Sequence, residues 1–194
     1  WFDTVLNGLV GLKYADEIRD CLLLSMLTGV RPGEARSLAW SNVDLKLKKM
    51  IFPHTKNHTN HELPITDWLA SILEAREGIS GDQQYVFSDS AGIRPPNARR
   101  AQLRIEEATG VHVMPTDLRR TFISTASNLK SINVYTLKRM LNHTVEGSDV
   151  TAGYIVINTD DLRDPMQRIE DQILIDAGLK SANILDGHFG KASA

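Results

Sequence analysis

Six polar side chains stand where folding alone gives no reason for them: Arg31, Glu34, Lys56, Arg119, His143 and Tyr154. Arg31 follows Thr28-Gly29-Val30, a helix-ending turn, and Glu34 lies three residues on, able to reach back and hold its guanidinium. Lys56 falls at the tip of an expected hairpin, where a flexible cation can extend into a neighbouring cleft. Arg119 stands in Pro115-Thr116-Asp117-Leu118-Arg119-Arg120-Thr121, a helix start with two arginines ahead of an apolar face. His143 follows the helix that ends Lys138-Arg139-Met140-Leu141-Asn142, and the small residues before Tyr154 leave room for close approach. This set suits a phosphodiester. Planar guanidinium groups neutralise its non-bridging oxygens with two hydrogen bonds each. A tyrosine can form a covalent intermediate, and lysine or histidine can protonate the departing alkoxide. Cations built into the protein make a metal unnecessary. Taken singly, each residue has a plainer role: Arg-x-x-Glu as a surface pair, tyrosine as core or rim, histidine as a helix C-terminal cap. Only the ordered set points to chemistry.

The elements that must position these groups are mostly helical. Phe2, Val5, Leu6, Leu9 and Val10 have helical spacing. Asp16 precedes a second apolar helix through Ile18, Leu22 and Met26 that stops at Thr28-Gly29, and a third is expected from Pro32 to Trp40. Residues 49–54 and 61–65 read as two strands around the polar loop 55–60, and their prolines favour short or edge strands. Another helix begins at Asp67. Residues 78–92 read as loop with a short strand at Tyr85-Val86-Phe87. Further helices are expected at 96–109, 116–128, 132–142 and near 150–156, then one from Pro165 to Ala177 that stops at Gly178, with 180–194 as a tail. The fold class is therefore α+β, predominantly α-helical, with one small antiparallel sheet.

Bulk properties set limits without deciding function. A chain of 194 residues is long enough for one domain with a real core. No apolar run reaches the roughly 20 residues that span a bilayer, and no charged-then-apolar leader opens the chain. The first residue is Trp1, which suggests an excised fragment lacking its N-terminal part. The single cysteine, Cys21, lies in an apolar run and reads as a buried inert thiol in a reducing setting. A net charge of −2 argues mildly against nucleic acid, yet the charge is uneven. Basic residues gather at Lys46, Lys48, Lys49 and Lys56, at Arg94, Arg99, Arg100 and Arg104, and at Arg119 and Arg120; acidic residues gather mainly after position 159. His54, His58 and His61 lie within eight residues, but no cysteine or carboxylate completes a metal site and a hairpin would set them on alternate faces.

The stretch Leu27-Thr28-Gly29-Val30-Arg31-Pro32-Gly33-Glu34-Ala35-Arg36-Ser37-Leu38-Ala39-Trp40 resembles the first arginine box of the tyrosine recombinases, in phage-integrase style. Pro115 to Thr121 resembles the second box, with Arg119 as its arginine. Leu141-Asn142-His143, followed eleven residues later by Tyr154, resembles the third box and nucleophile. Lys56, ahead of Leu63-Pro64-Ile65, takes the place of the family's strand-turn lysine. The resemblance runs over residues 15 to 160 with the boxes in order. One slot departs: the family's second box opens with a histidine three residues before its arginine, and here that residue is Thr116. A hydroxyl donates a hydrogen bond to phosphate but carries no charge and shuttles no proton near neutral pH. His112 is nearby, but precedes Met114-Pro115.

The resemblance implies a DNA breaking-and-rejoining fold, with a catalytic domain at 1–160 and a C-terminal helix and tail at 161–194 that belongs to the same domain or docks in trans. A separate N-terminal DNA-binding domain would be missing, leaving feeble, salt-sensitive DNA binding. It implies attack by Tyr154 to give a 3′-phosphotyrosyl link, with Arg31 and Arg119 clamping the phosphate, His143 supporting the transition state and Lys56 protonating the leaving 5′-oxygen. Glu34 would orient Arg31, and Thr116 would offer a lesser hydrogen bond; Asp117 reads as a helix cap. No cofactor is implied. The implied partners are double-stranded DNA carrying a recombination site, further protomers in a homotetramer on that DNA, and accessory bending proteins. The implied setting is the cytoplasm of a bacterium hosting a phage or prophage. Thr116 leaves a non-cutting DNA-binding relative as an alternative, and the same tyrosine chemistry leaves supercoil relaxation of the type IB topoisomerase kind.

Overall fold

From Cys21 to Leu27 the sequence is almost wholly apolar, and the segment Ala15–Thr28 becomes the central helix α1, with Ile18, Cys21, Leu22, Leu23, Leu24, Met26 and Leu27 buried. The computed structural model describes residues 13–53, 60–95, 99–112, 114–143 and 156–181. The expected N-terminal helix and the 182–194 tail lie outside the described residues. Helix α1 ends at Gly29, which adopts a left-handed φ of 69° and returns its N–H to the Ser25 carbonyl.

Pro32 opens α2 (Pro32–Arg36), as expected. The helix stops four residues short of Trp40, because the backbone beyond it is used elsewhere. Ala39 bridges Tyr85, with Trp40 N–H donating to the Gln84 carbonyl and Val86 N–H to the Leu38 carbonyl. Trp40–Asn42 forms a 3-10 turn. A three-stranded antiparallel sheet follows, in the order β1 (Val43–Asp44), β2 (Lys49–Phe52), β3 (His61–Pro64). Lys49 pairs with Pro64 and Phe52 with His61. Strand β1 has two residues, too short for alternation to reveal it. Pro64 lies on the outer strand, where a missing N–H interrupts no ladder.

Helix α3 (Asp67–Ser80) runs through Gly78, where loop was expected, and of the expected strand at 85–87 Tyr85 makes a single bridge while Val86 and Phe87 enter the core. Four helices complete the described chain: α4 (Arg99–Thr109), α5 (Pro115–Asn128), α6 (Val134–Met140) and α7 (Arg163–Asp176). The helix expected near 150–156 falls almost wholly outside the described residues. Helix α7 packs against α1 and α5 and buries Met166, Ile169 and Ile173 in the common core. Its Glu170 is fully buried and caps α3, accepting from Thr66 Oγ1 and from the Trp68 and Leu69 N–H groups. Cys21 is buried, as expected, and desolvation pushes its thiol up to about 12.

Candidate active site

Three chain segments distant in sequence meet where α1 ends, α5 begins and α6 ends. Arg31 is held in extended geometry just before α2. Its N–H donates to Glu34 Oε2 at 3.0 Å and its Nη1 to Glu34 Oε1 at 3.0 Å. One carboxylate thus caps the first turn of α2 and aims the guanidinium of the residue before it. Glu34 does what its spacing predicted.

Arg119 reaches out of α5 to the other two segments. Nη1 donates to the Gly29 carbonyl, at the left-handed end of α1. Nη2 donates to the Leu141 carbonyl at 2.9 Å and lies 2.9 Å from His143 Nε2. Because guanidinium can only donate, Nε2 is the acceptor and His143 carries its proton on Nδ1. Burial first, then the charges of Arg119, Arg31 and Lys138, hold the His143 imidazole below its ordinary range, which agrees with a neutral ring. The Arg119 guanidinium is also shifted down, by burial and then by Arg31, with Glu34 acting in the opposite direction. Arg31 and Arg119 are therefore close enough to repel, in a partly desolvated place that favours an incoming anion.

Thr116 is exposed on the first turn of α5, one helical turn before Arg119. Asp117 is the cap expected of it: it accepts from Met114 N–H at 2.8 Å and pairs with Arg120, and these partners hold its carboxyl below the usual range. His112 does not replace the missing histidine but pairs with Glu106 at 2.8 Å. Lys56 and Tyr154 lie outside the described residues, as do His54 and His58. His61 is buried on β3, and no group of ligands able to hold a metal occurs among the described residues.

Sequence reasoning had no access to the two carbonyls that steer Arg119, since every residue has one. It also passed over Arg139, whose Nε lies 3.3 Å from the Ile157 carbonyl and whose Nη1 lies 3.4 Å from the Glu62 carbonyl. A basic residue in a helix's last turn looks like ordinary dipole compensation.

The profile of the phage integrase family matches residues 12–157, most of the chain and every box described above. The chain belongs to the phage integrase family. A prophage integrase of Escherichia coli, IntA, is 26% identical over 138 residues, covering 69% of this chain and 33% of its own length. A Haemophilus influenzae sequence of the integrase/recombinase type is 26% identical over 146 residues, covering 71% of this chain and 46% of its own. This integrase-family chain thus spans less than half the length of either relative. Its fold is that of tyrosine recombinase catalytic domains. The integrase of mycobacterium phage Brujita superposes with a TM-score of 0.58 at 18% identity, over 85% of this chain and 55% of that one. The Tn1549 transposon integrase, solved with circular-intermediate DNA, gives 0.54 at 15% identity, over 84% and 61%. No helix among the described residues is long and apolar enough to cross a membrane.

Proposed function

We propose that this chain is the strand-cleaving part of a site-specific DNA recombinase, working through a 3′-phosphotyrosyl intermediate on Tyr154. The observation that carries the proposal is the cluster of Arg31, Arg119 and His143, with Glu34 holding one guanidinium and two backbone carbonyls holding the other. Three of the five Arg119 N–H donors are engaged within the described chain, which leaves two for a phosphate oxygen. Preorganised donors of this kind stabilise charge that grows in a pentacoordinate transition state; losing one costs roughly 10²–10³ in rate.

In the proposed reaction, Tyr154 Oη loses its proton to solvent as it attacks the scissile phosphorus, and the bond to the 5′-oxygen breaks. Lys56 gives that oxygen its proton. The energy of the broken ester is kept in the phosphotyrosyl ester, so a 5′-hydroxyl from a partner strand reverses the step without a nucleotide cofactor. His143, already an acceptor toward Arg119, has Nδ1–H available as a donor, and Thr116 contributes a hydroxyl where the family carries a histidine. The DNA substrate, assembly into a tetramer on it, accessory bending proteins and a phage- or prophage-bearing bacterial cytoplasm all belong to the proposal.

The test is to trap the intermediate. The chain is incubated with a nicked suicide duplex carrying the recombination site, and denaturation-resistant protein–DNA adducts are measured for wild type, Tyr154→Phe and Thr116→His. An adduct absent from Tyr154→Phe is the expected result, with a faster rate in Thr116→His. A duplex that binds site-specifically but yields no adduct with wild type, and does with Thr116→His, would replace the proposal with a non-cutting DNA-binding role. Relaxation of a supercoiled plasmid lacking the site would favour the topoisomerase alternative.

A further inference from the structure

Arg139 ties together three parts of the chain that flank the proposed reacting groups. It stands on α6, four residues before His143. Through Nη1 it meets the carbonyl of Glu62 on β3, six residues after Lys56. Through Nε it meets the carbonyl of Ile157, three residues after Tyr154. The Arg139 side chain is partly buried, so these bonds compete with water less than surface bonds would. Arg119 holds the residues just past the same C-terminal end of α6 through Leu141 and His143, so the arginine cluster and the Arg139 tie act on one short helix. The His61 ring packs beside the backbone of Arg139 and Met140, which closes the β3–α6 contact from the core side.

We infer that Arg139 is a positioning residue for strand cleavage: it fixes Glu62 and Ile157, six residues after Lys56 and three after Tyr154 in sequence, against the helix that delivers His143. The inference rests on the function proposed above. A planar fork suits the task, because two donors in fixed geometry hold two carbonyls at a set separation, as an ammonium group does not. Among the described residues the partners of Arg139 are backbone carbonyls, so its role is positional. Its removal should leave DNA affinity largely intact and lower the rate of the covalent step, because near-attack geometry is sensitive to displacements of about 1 Å.

The experiment measures single-turnover adduct formation at saturating suicide duplex, together with DNA affinity, for wild type, Arg139→Met and Arg139→Lys. For Arg139→Met we expect a rate at least about tenfold lower, with affinity within about twofold of wild type. A second duplex carries sulfur at the 5′-bridging position, where the thiolate departs without needing a proton. On it the Arg139→Met deficit should shrink, since misplacement of Lys56 no longer matters. If Arg139→Met does not fold, Arg139→Lys carries the test, with slower adduct formation at unchanged affinity expected. A wild-type rate in the folded variant, or rate and affinity falling together, overturns the positioning role. An equal deficit on the oxygen and sulfur duplexes overturns the link to Lys56. Absence of adduct from wild type overturns the proposed function itself, and so is distinct from failure of this inference.

Discussion

His61 makes the stability of this fold depend on pH in a way that can be calculated. The ring is 1% exposed on β3, and its Nε2 has no hydrogen-bond partner. Burial first, then the positive charges of Arg139 on α6 and Arg119 on α5, lower its pKa from 6.5 to about 4. Above pH 6.5 the imidazole is neutral in both folded and unfolded chains, and the folded state bears no penalty. As the pH falls below 6.5 the unfolded chain takes up the proton first, so stability declines until the folded ring also protonates near pH 4. At 1.36 kcal/mol per unit, the full span amounts to about 3 kcal/mol, and the part between pH 6.5 and 5.0 to about 2 kcal/mol. Urea denaturation at pH 7.5 and 5.0 reads that loss before most carboxylates titrate. His61→Leu is the control. It removes the titration and an unpartnered buried nitrogen while keeping an apolar contact with Phe52, so its stability at pH 7.5 should lie within about 1 kcal/mol of wild type. Its decline to pH 5.0 should be smaller than wild type's by about 2 kcal/mol, with all other titrating groups shared. Equal declines in the two proteins, or a His61 proton resonance that titrates near 6.5, would refute the reasoning.

Three further outcomes test other joints of the fold. Gly29→Ala places a Cβ 2.6 Å from Phe122 Cδ1 at a φ of 69°, and should cost about 2 kcal/mol or more, seen as a Tm lower by roughly 4–8 °C. Glu170→Ala strands the Thr66 hydroxyl and the Trp68 and Leu69 N–H groups in the core, and should cost about 3 kcal/mol or more in urea denaturation. Glu34→Gln keeps the helix cap but removes the charge that aims Arg31; adduct formation should slow by roughly tenfold, about 1.4 kcal/mol, with the melting temperature little changed.

Much of this protein was legible in its sequence because the relevant physics is local. Helix α1 follows from an apolar run and a glycine that accepts positive φ, the start of α2 from Pro32, and the Glu34 clamp from a three-residue spacing. The ordered boxes around Arg31, Arg119 and His143 pointed to one cluster, and the fold brings those three together. Elsewhere local pattern failed where a distant backbone competed. Helix α2 ends at Arg36 because residues 38–40 pair with 84–86, and α3 passes through Gly78 with its N-terminus capped by Glu170 from a helix about a hundred residues away. Which carbonyls hold Arg119, that Arg139 bridges Glu62 and Ile157, and that His61 is sealed beneath both arginines were decided by tertiary structure alone. A backbone carbonyl is the same atom at every position, so no choice of residue type marks the ones a side chain will find; only the folded path of the chain selects them.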